Sequence, residues 1–170
     1  MVQEAIFLSI YYKYPLRRDL GDCLLLTSES QETDVIKTKN YVVKKNATYT
    51  LFLNAFKTAK KDGVVKCRKE FALSEKVLAY IDWVVKSPSN QTNSLLINQR
   101  CTPMTDHIFA KLFAKTMGKY TGVESRINDW RSAKVSHTFR NDTPLSVREE
   151  LADFMCNSVI TQMTHYEKKG

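Results

Sequence analysis

The sequence has few residues of the kinds that build metal centres or phosphate-binding loops. Among its 170 residues are three histidines, four cysteines and five glycines. The histidines and cysteines do not fall at metal-ligand spacings, and no glycine-rich phosphate loop or paired-carboxylate pattern stands out. The cysteines are too scattered to indicate a disulfide framework, so we interpret them as reduced thiols of an intracellular protein.

Long apolar runs are also missing. The run Cys23-Leu24-Leu25-Leu26 is far too short to cross a bilayer, and the first residues lack the basic start of a secretory signal. We therefore expect neither a membrane segment nor export.

Positive charge is what the chain has in excess. Lysine and arginine number 26 against 18 acidic residues, which gives a formal charge of +8 and an isoelectric point near 9.3. An excess of this size indicates a polyanionic partner, for which nucleic acid is the leading candidate. The alternative is a basic protein without such a partner.

Periodic apolar residues predict a mainly helical chain with a small sheet. The predicted helices cover residues 2–14, 74–86, 105–117 with Gly118 past the end, about 124–139, and two short segments separated by a break near 156–158. The capping-box pattern Ser146-Val147-Arg148-Glu149 predicts the start of the first short helix. Strand-like runs occupy 23–27, 41–43, 48–53 and 64–68. We predict a single α+β domain over residues 1–170, mainly α, with helices around a small antiparallel sheet.

A lysine-rich segment separates the last two predicted strands. Asp62-Gly63 directly before a strand is typical of a hairpin turn, so Lys57 is predicted near the tip of a β-hairpin. A basic loop of this kind can contact a nucleic-acid backbone.

Two other places carry residues suited to phosphate chemistry. Arg17 and Arg18 lie beside Asp19, and an arginine held by an acidic neighbour forms a preorganised fork for a phosphate. A surface ion-pair cluster would give the same pattern. Tyr166, on the last predicted helix, is either a mobile nucleophile or a partly buried tyrosine with a hydrated hydroxyl.

Taken in chain order, these residues resemble the C-terminal catalytic domain of the tyrosine recombinases, the phage-type integrases. Leu16-Arg17 is similar to the Leu-Arg turn that supplies the first catalytic arginine of that family. The acidic residue that follows is placed differently here, which keeps Arg18 as a rival to Arg17. Lys57-Thr58 is similar to the family's hairpin lysine.

Two motifs near the end extend the resemblance. Asn128-Asp129-Trp130-Arg131 falls where the family has His-x-x-Arg, and Met155-Cys156-Asn157-Ser158 falls where it usually has Leu-Gly-His-Ser. Tyr166 follows Asn157 by nine positions, which is the family spacing. Both family histidines are therefore asparagines, which donate hydrogen bonds but do not exchange protons near neutral pH. The divergent pattern looks more similar to integrases of viruses, virophages or mobile elements than to the common bacterial ones.

The resemblance implies site-specific cleavage and rejoining of DNA through a covalent 3′-phosphotyrosine, without metal or other cofactor. The implied catalytic set is Arg17, Lys57, Asn128, Arg131, Asn157 and Tyr166. The implied partner is double-stranded DNA, with self-association as a dimer or tetramer on it and no membrane or small-molecule substrate. The family's N-terminal core-binding domain is expected to be absent from this chain.

Two other functions fit the same sequence. The two asparagines favour a non-enzymatic DNA-binding protein that keeps the recombinase fold. An unrelated RNA-binding module would need exposed aromatic residues on a sheet face, for which Tyr41, Tyr49 and Phe52 are the candidates.

Overall fold

The computed structural model describes residues 2–34, 38–45, 47–56, 60–61, 64–65, 68–86, 92–139 and 143–166. Within these ranges, six α-helices pack around a small sheet. They are α1 Val2–Lys13, α2 Glu75–Lys86, α3 Asp106–Thr121, α4 Ile127–Thr138, α5 Leu145–Phe154 and α6 Val159–His165. In this part of the chain, no helix has both the length and the apolar character that crossing a membrane requires. The predicted α+β, mainly α, class is confirmed.

The main sheet has four strands in the order β1-β2-β3-β6. Its strands are β1 Leu24–Leu26, β2 Tyr41–Lys45, β3 Thr48–Leu53 and β6 Lys69–Ala72. β1 pairs with β2 in parallel, whereas β2–β3 and β3–β6 are antiparallel. The prediction of an antiparallel sheet is therefore wrong for one edge. The connection over residues 27–40 is long enough to return the chain to the same end of the sheet, which a parallel pair requires.

The prediction of one strand over 64–68 is also corrected. A short hairpin is formed by β4 Lys60–Lys61 and β5 Val64–Val65, while β6 begins only at Lys69 and joins the main sheet beside β3. The sequence interpretation missed β6 because only Phe71 among its four residues is buried. Lys57 and the predicted turn at Asp62-Gly63 lie outside the described residues.

Two helix boundaries differ from their sequence signals. Gly118 lies inside α3, which ends at Thr121, and the left-handed residue after the helix is Gly122 with φ +77°. Gly118 instead permits a close approach, since a Cβ there would meet the Glu124 side chain at 2.8 Å. At the other boundary, α5 starts at Leu145 after Pro144, so Ser146 lies within the helix and does not cap it.

The largest core lies between α1, α2, α3 and one face of the sheet. Phe7, Tyr11, Phe109 and Phe113 form its aromatic centre, with the Phe7 and Phe109 rings 5.5 Å apart edge to face. Burial of each such ring contributes about 2 kcal/mol or more. This core packs α1 against α2 and α3, and it thereby fixes the position of the turn that follows α1.

Among the described residues, neither face of the sheet presents an exposed aromatic platform, since Tyr49 packs into the main core and Tyr41 and Phe52 pack into a smaller cluster. Tyr41, Tyr49 and Phe52 are all buried, and the Arg68 guanidinium carbon lies 3.9 Å from the Phe52 ring centroid. The RNA-binding alternative required these rings to be accessible, so it is not supported.

A second, smaller core holds the end of the chain. Its buried members come from α4, α5 and the residues that directly follow α4, α5 and α6: Val135, Phe139, Leu151, Met155 and Tyr166. Tyr166 is thus part of a packed cluster, and Val159 at the start of α6 packs against the same cluster.

Candidate active site

The α5–α6 junction is a tight reversal of the chain. The Cys156 N–H donates to the Asp153 carbonyl and the Asn157 N–H donates to the Ala152 carbonyl, both at 3.0 Å. Cys156 has φ +51°, the left-handed conformation that favours glycine. The position that carries glycine in the resembled Leu-Gly-His-Ser motif therefore has the backbone of a Schellman turn, here built with cysteine.

This reversal orients α6. Ser158 caps the helix, since its Oγ accepts a hydrogen bond from the Thr161 N–H at 3.1 Å. Tyr166 ends the helix, and its N–H donates to the Gln162 carbonyl at 2.9 Å. Local hydrogen bonds at both ends of α6 therefore fix the backbone of the helix that ends at Tyr166.

Arg131 lies directly against Tyr166. Its side chain is fully buried, and its guanidinium carbon is 4.9 Å from the Tyr166 ring centroid. Nη1 donates to the Pro15 carbonyl, and Nη2 donates to the Met155 carbonyl at 3.2 Å. Burial lowers the pKa of Arg131 from its ordinary value, and the charge and hydrogen bond of the Tyr166 side chain oppose that shift. Arg131 thus joins the early turn, the α5–α6 junction and Tyr166.

Tyr166 also forms part of the wall of a cleft of about 790 Å³. The cleft is lined by Arg17, Phe56, Lys69, Asn128, Asp153, Cys156, Asn157, Ser158, Thr161, His165 and Tyr166. Of the six residues predicted from the sequence, four line this cleft, Arg131 lies behind the Tyr166 ring, and Lys57 lies outside the described residues.

Arg17 and Arg18, the two candidate arginines of the turn after α1, do not line the same clefts. Arg17 lines the Tyr166 cleft and also a neighbouring cleft of about 830 Å³, whereas Arg18 lines the neighbouring one. The Arg17 N–H donates to the Asp19 carboxylate at 2.9 Å, and the Tyr11 hydroxyl donates to the Arg17 carbonyl. Burial raises the pKa of Asp19, while the bond from Arg17 and the charge of Arg131 oppose the rise. Two hydrogen bonds therefore fix the backbone of Arg17, and the residue is half-buried at the wall of both clefts.

The two asparagines have different surroundings. Asn128 is exposed and lines both clefts. The Asn157 Nδ2 and Oδ1 atoms are buried without a hydrogen-bond partner among the described residues. A buried amide in this condition costs about 1–3 kcal/mol, so a ligand that bonded it would be held more tightly.

Three titratable residues of the cleft, Lys69, Asp153 and His165, were not predicted as site residues from the sequence. Lys69 forms an ion pair with Asp153, and His165 precedes Tyr166. Lys69 was missed together with its strand, and Asp153 lies 84 positions away from it. The adjacency of His165 to Tyr166 was the one local signal available. Cys156 also lines the cleft, but burial raises its pKa to about 12, so its thiol stays protonated near neutral pH.

Comparison with known proteins shows that the fold is similar to that of a solved recombinase structure. No protein-family model and no curated protein matches the sequence. Among solved structures, the crystal structure of XerA recombinase matches with a TM-score of 0.61 over 99% of this chain and 53% of that one, at 11% identity. The chain therefore spans about half the length of the structure it matches. At this identity the likeness shows the fold alone.

Proposed function

We propose that the protein cleaves and rejoins DNA strands with Tyr166 as the nucleophile. The observation that carries the proposal is the grouping of Tyr166 with Arg17, Asn128 and Asn157 in one cleft, over the buried Arg131. The recombinase-like fold and the charge of +8 support the same function.

In the proposed reaction, the Tyr166 hydroxyl oxygen forms a bond to the scissile phosphorus and gives up its proton to water. The bond from phosphorus to the 5′ oxygen breaks, which leaves a 3′-phosphotyrosine and a free 5′-hydroxyl. Lys57 is the proposed general acid that protonates the leaving 5′ oxygen. Attack by a 5′-hydroxyl on the phosphotyrosine reverses these steps and rejoins a strand.

The remaining residues act on the charge of the phosphate. Arg17 is proposed to bind its non-bridging oxygens from the cleft wall, and the cation of Arg131 stabilises the negative charge from behind Tyr166. The unpartnered amide of Asn157 offers a hydrogen bond to one phosphate oxygen, and Asn128 offers another from the rim. Since both asparagines replace proton-exchanging groups of the resembled motif, we expect slow chemistry.

The test is a covalent-adduct assay on nicked duplexes whose sequence around the nick is randomised, because the target site is unknown. Wild-type protein should form a species in which DNA remains attached to protein after denaturation. Tyr166→Phe should abolish this species and leave duplex binding nearly unchanged, since only a hydroxyl is removed. Tyr12→Phe is the matched control, because Tyr12 is 71% exposed and lies outside the cleft lining. An adduct that survives in Tyr166→Phe would refute the assignment.

A DNA-binding protein without catalysis is the second candidate, favoured by asparagine at positions 128 and 157. It predicts salt-sensitive duplex binding and no adduct in any variant. Asn128→His and Asn157→His separate the two functions further. A faster reaction in either variant would show that the asparagines limit an existing activity.

A further inference from the structure

An ion pair lies within the wall of the Tyr166 cleft. Lys69 of β6 pairs with Asp153 of α5, and both residues line the cleft together with Arg17 and Asn157. The side chain of Lys69 is 24% exposed and that of Asp153 is 56% exposed. The pair is therefore accessible from the space in which Tyr166 meets its substrate.

A carboxylate and a phosphate diester offer similar partners to a lysine ammonium. Both present anionic oxygens that accept charge-assisted hydrogen bonds. A partly exposed ion pair is only weakly stabilising, so a second anion entering the cleft can replace the carboxylate at small cost. A phosphate in this cleft would gain Arg17 and Asn157, which also line it, as additional partners.

We infer that Lys69 is a further phosphate-binding residue of the site, and that Asp153 is an internal counter-ion which the DNA backbone displaces on binding. This inference rests on the proposed function, because it takes DNA as the ligand of the cleft. It adds a lysine from the main sheet to the proposed hairpin lysine Lys57. It also assigns to Asp153 a competing role that weakens DNA binding.

The alternative explanation is purely structural, since the pair also connects β6 to α5. In that case, loss of the pair would lower stability without changing DNA affinity. The two explanations differ in affinity and in its salt dependence. Lys69 already has a counter-ion in the wild type, but it would have to recruit one from solution once Asp153 is neutralised. Contact with a phosphate would then release that ion.

The experiment measures binding of a short fluorescein-labelled duplex of mixed sequence by anisotropy, between about 50 and 200 mM salt. Asp153→Asn removes the carboxylate with little change in shape. Asp82→Asn is the matched control, because Asp82 pairs with Lys44 at 3.4 Å and is not among the residues lining either cleft. Both variants change net charge equally, so the comparison isolates the position of the carboxylate.

We expect Asp153→Asn to bind about threefold to fivefold tighter than Asp82→Asn, the scale set by a weak exposed pair. Its slope of log affinity against log salt should be steeper by about 0.9, the value for one phosphate contact, because no freed Asp153 carboxylate then takes up a cation that offsets the ion release. Adding Lys69→Met to Asp153→Asn should return the slope to that of Asp82→Asn. Urea unfolding of each variant shows that it is folded.

Equal affinity and slope for Asp153→Asn and Asp82→Asn would overturn the inference, as would a steeper slope that persists without Lys69. Failure of every variant to bind duplex would overturn both this inference and the proposed function. A steeper slope in Asp153→Asn without any covalent adduct would support the phosphate contact while refuting the catalytic proposal.

Discussion

Arg131 is expected to be required for folding as well as for chemistry. Arg131→Met keeps the length of the side chain but removes its donors, so the Pro15 and Met155 carbonyls lose their bonds inside the protein. Each hydrogen bond from a charged donor contributes about 1.5–3 kcal/mol, and the stacking on Tyr166 contributes about 1 kcal/mol more. Relief of the buried charge offsets part of this sum. We expect a net destabilisation of about 3 kcal/mol.

Urea denaturation followed by circular dichroism measures this effect. For a slope of about 2 kcal/mol per molar urea, the midpoint should fall by about 1.5 M. Arg17→Met is the control, because the two hydrogen bonds described above at Arg17 use its backbone N–H and carbonyl, which the substitution keeps. Its midpoint should change by roughly 0.3 M or less.

A midpoint for Arg131→Met equal to that of the wild type would refute the reasoning, since it would mean that the two carbonyls find other donors or never needed one. The expected result has a practical consequence. Loss of adduct in an Arg131 variant reports on catalysis only where the variant is shown to be folded, whereas loss in Arg17→Met can be interpreted directly.

Three further predictions concern the backbone and the thiols. Because Cys156 has φ +51°, Cys156→Gly should be more stable than Cys156→Ala by about 1 kcal/mol in urea unfolding, whereas alanine is ordinarily the more stable of the two. In the exposed middle of α2, where the ordinary order holds, Ala79→Gly should lose about 1 kcal/mol. A more stable alanine variant at position 156 would contradict the left-handed turn. Gly122→Ala should lose about 1 kcal/mol from its φ of +77° alone, since nothing lies within 4 Å of the added Cβ, and an unchanged unfolding midpoint would count against this. The pKa of the Cys156 thiol is raised from 9.0 to about 12, so the stability it contributes is complete below pH 9 and is lost as the pH rises through about 12. Alkylation at pH 8 followed by peptide mapping should modify exposed Cys101 before Cys156, and rapid modification of Cys156 in the folded protein would refute its burial.

Local sequence patterns determined most of the secondary structure. The apolar helix before Pro15, the strand over 48–53 and the helix ending at Lys86 are all present with boundaries close to those predicted. Each carries its own signal in the form of apolar spacing, proline or β-branched residues, which acts over a few neighbouring residues. The break near 156–158 belongs to this group, because a Schellman turn and a serine cap are both local.

The same local reasoning was wrong where packing overrides a signal. Gly118 resembles a helix terminator but lies inside α3, where its missing Cβ makes room for Glu124. The capping-box pattern at Ser146 is overridden by Pro144, after which α5 has already begun. β6 has only one buried residue in four, and its pairing with β3 became evident only in the sheet.

The candidate site depends on contacts that no sequence window contains. The order of Arg17, Asn128, Asn157 and Tyr166 led to the prediction that they act together, and their catalytic roles stay predictions, but their common cleft is a property of the tertiary structure. Arg131 reaches the Pro15 carbonyl across 116 positions, and Lys69 reaches Asp153 across 84. Charge and spacing along the chain therefore determined which residues were predicted to bind a phosphate. The packing of α4, α5 and α6 against the early turn decided which of them are buried, which face the cleft and which already hold a counter-ion, because burial and pairing depend on neighbours in space.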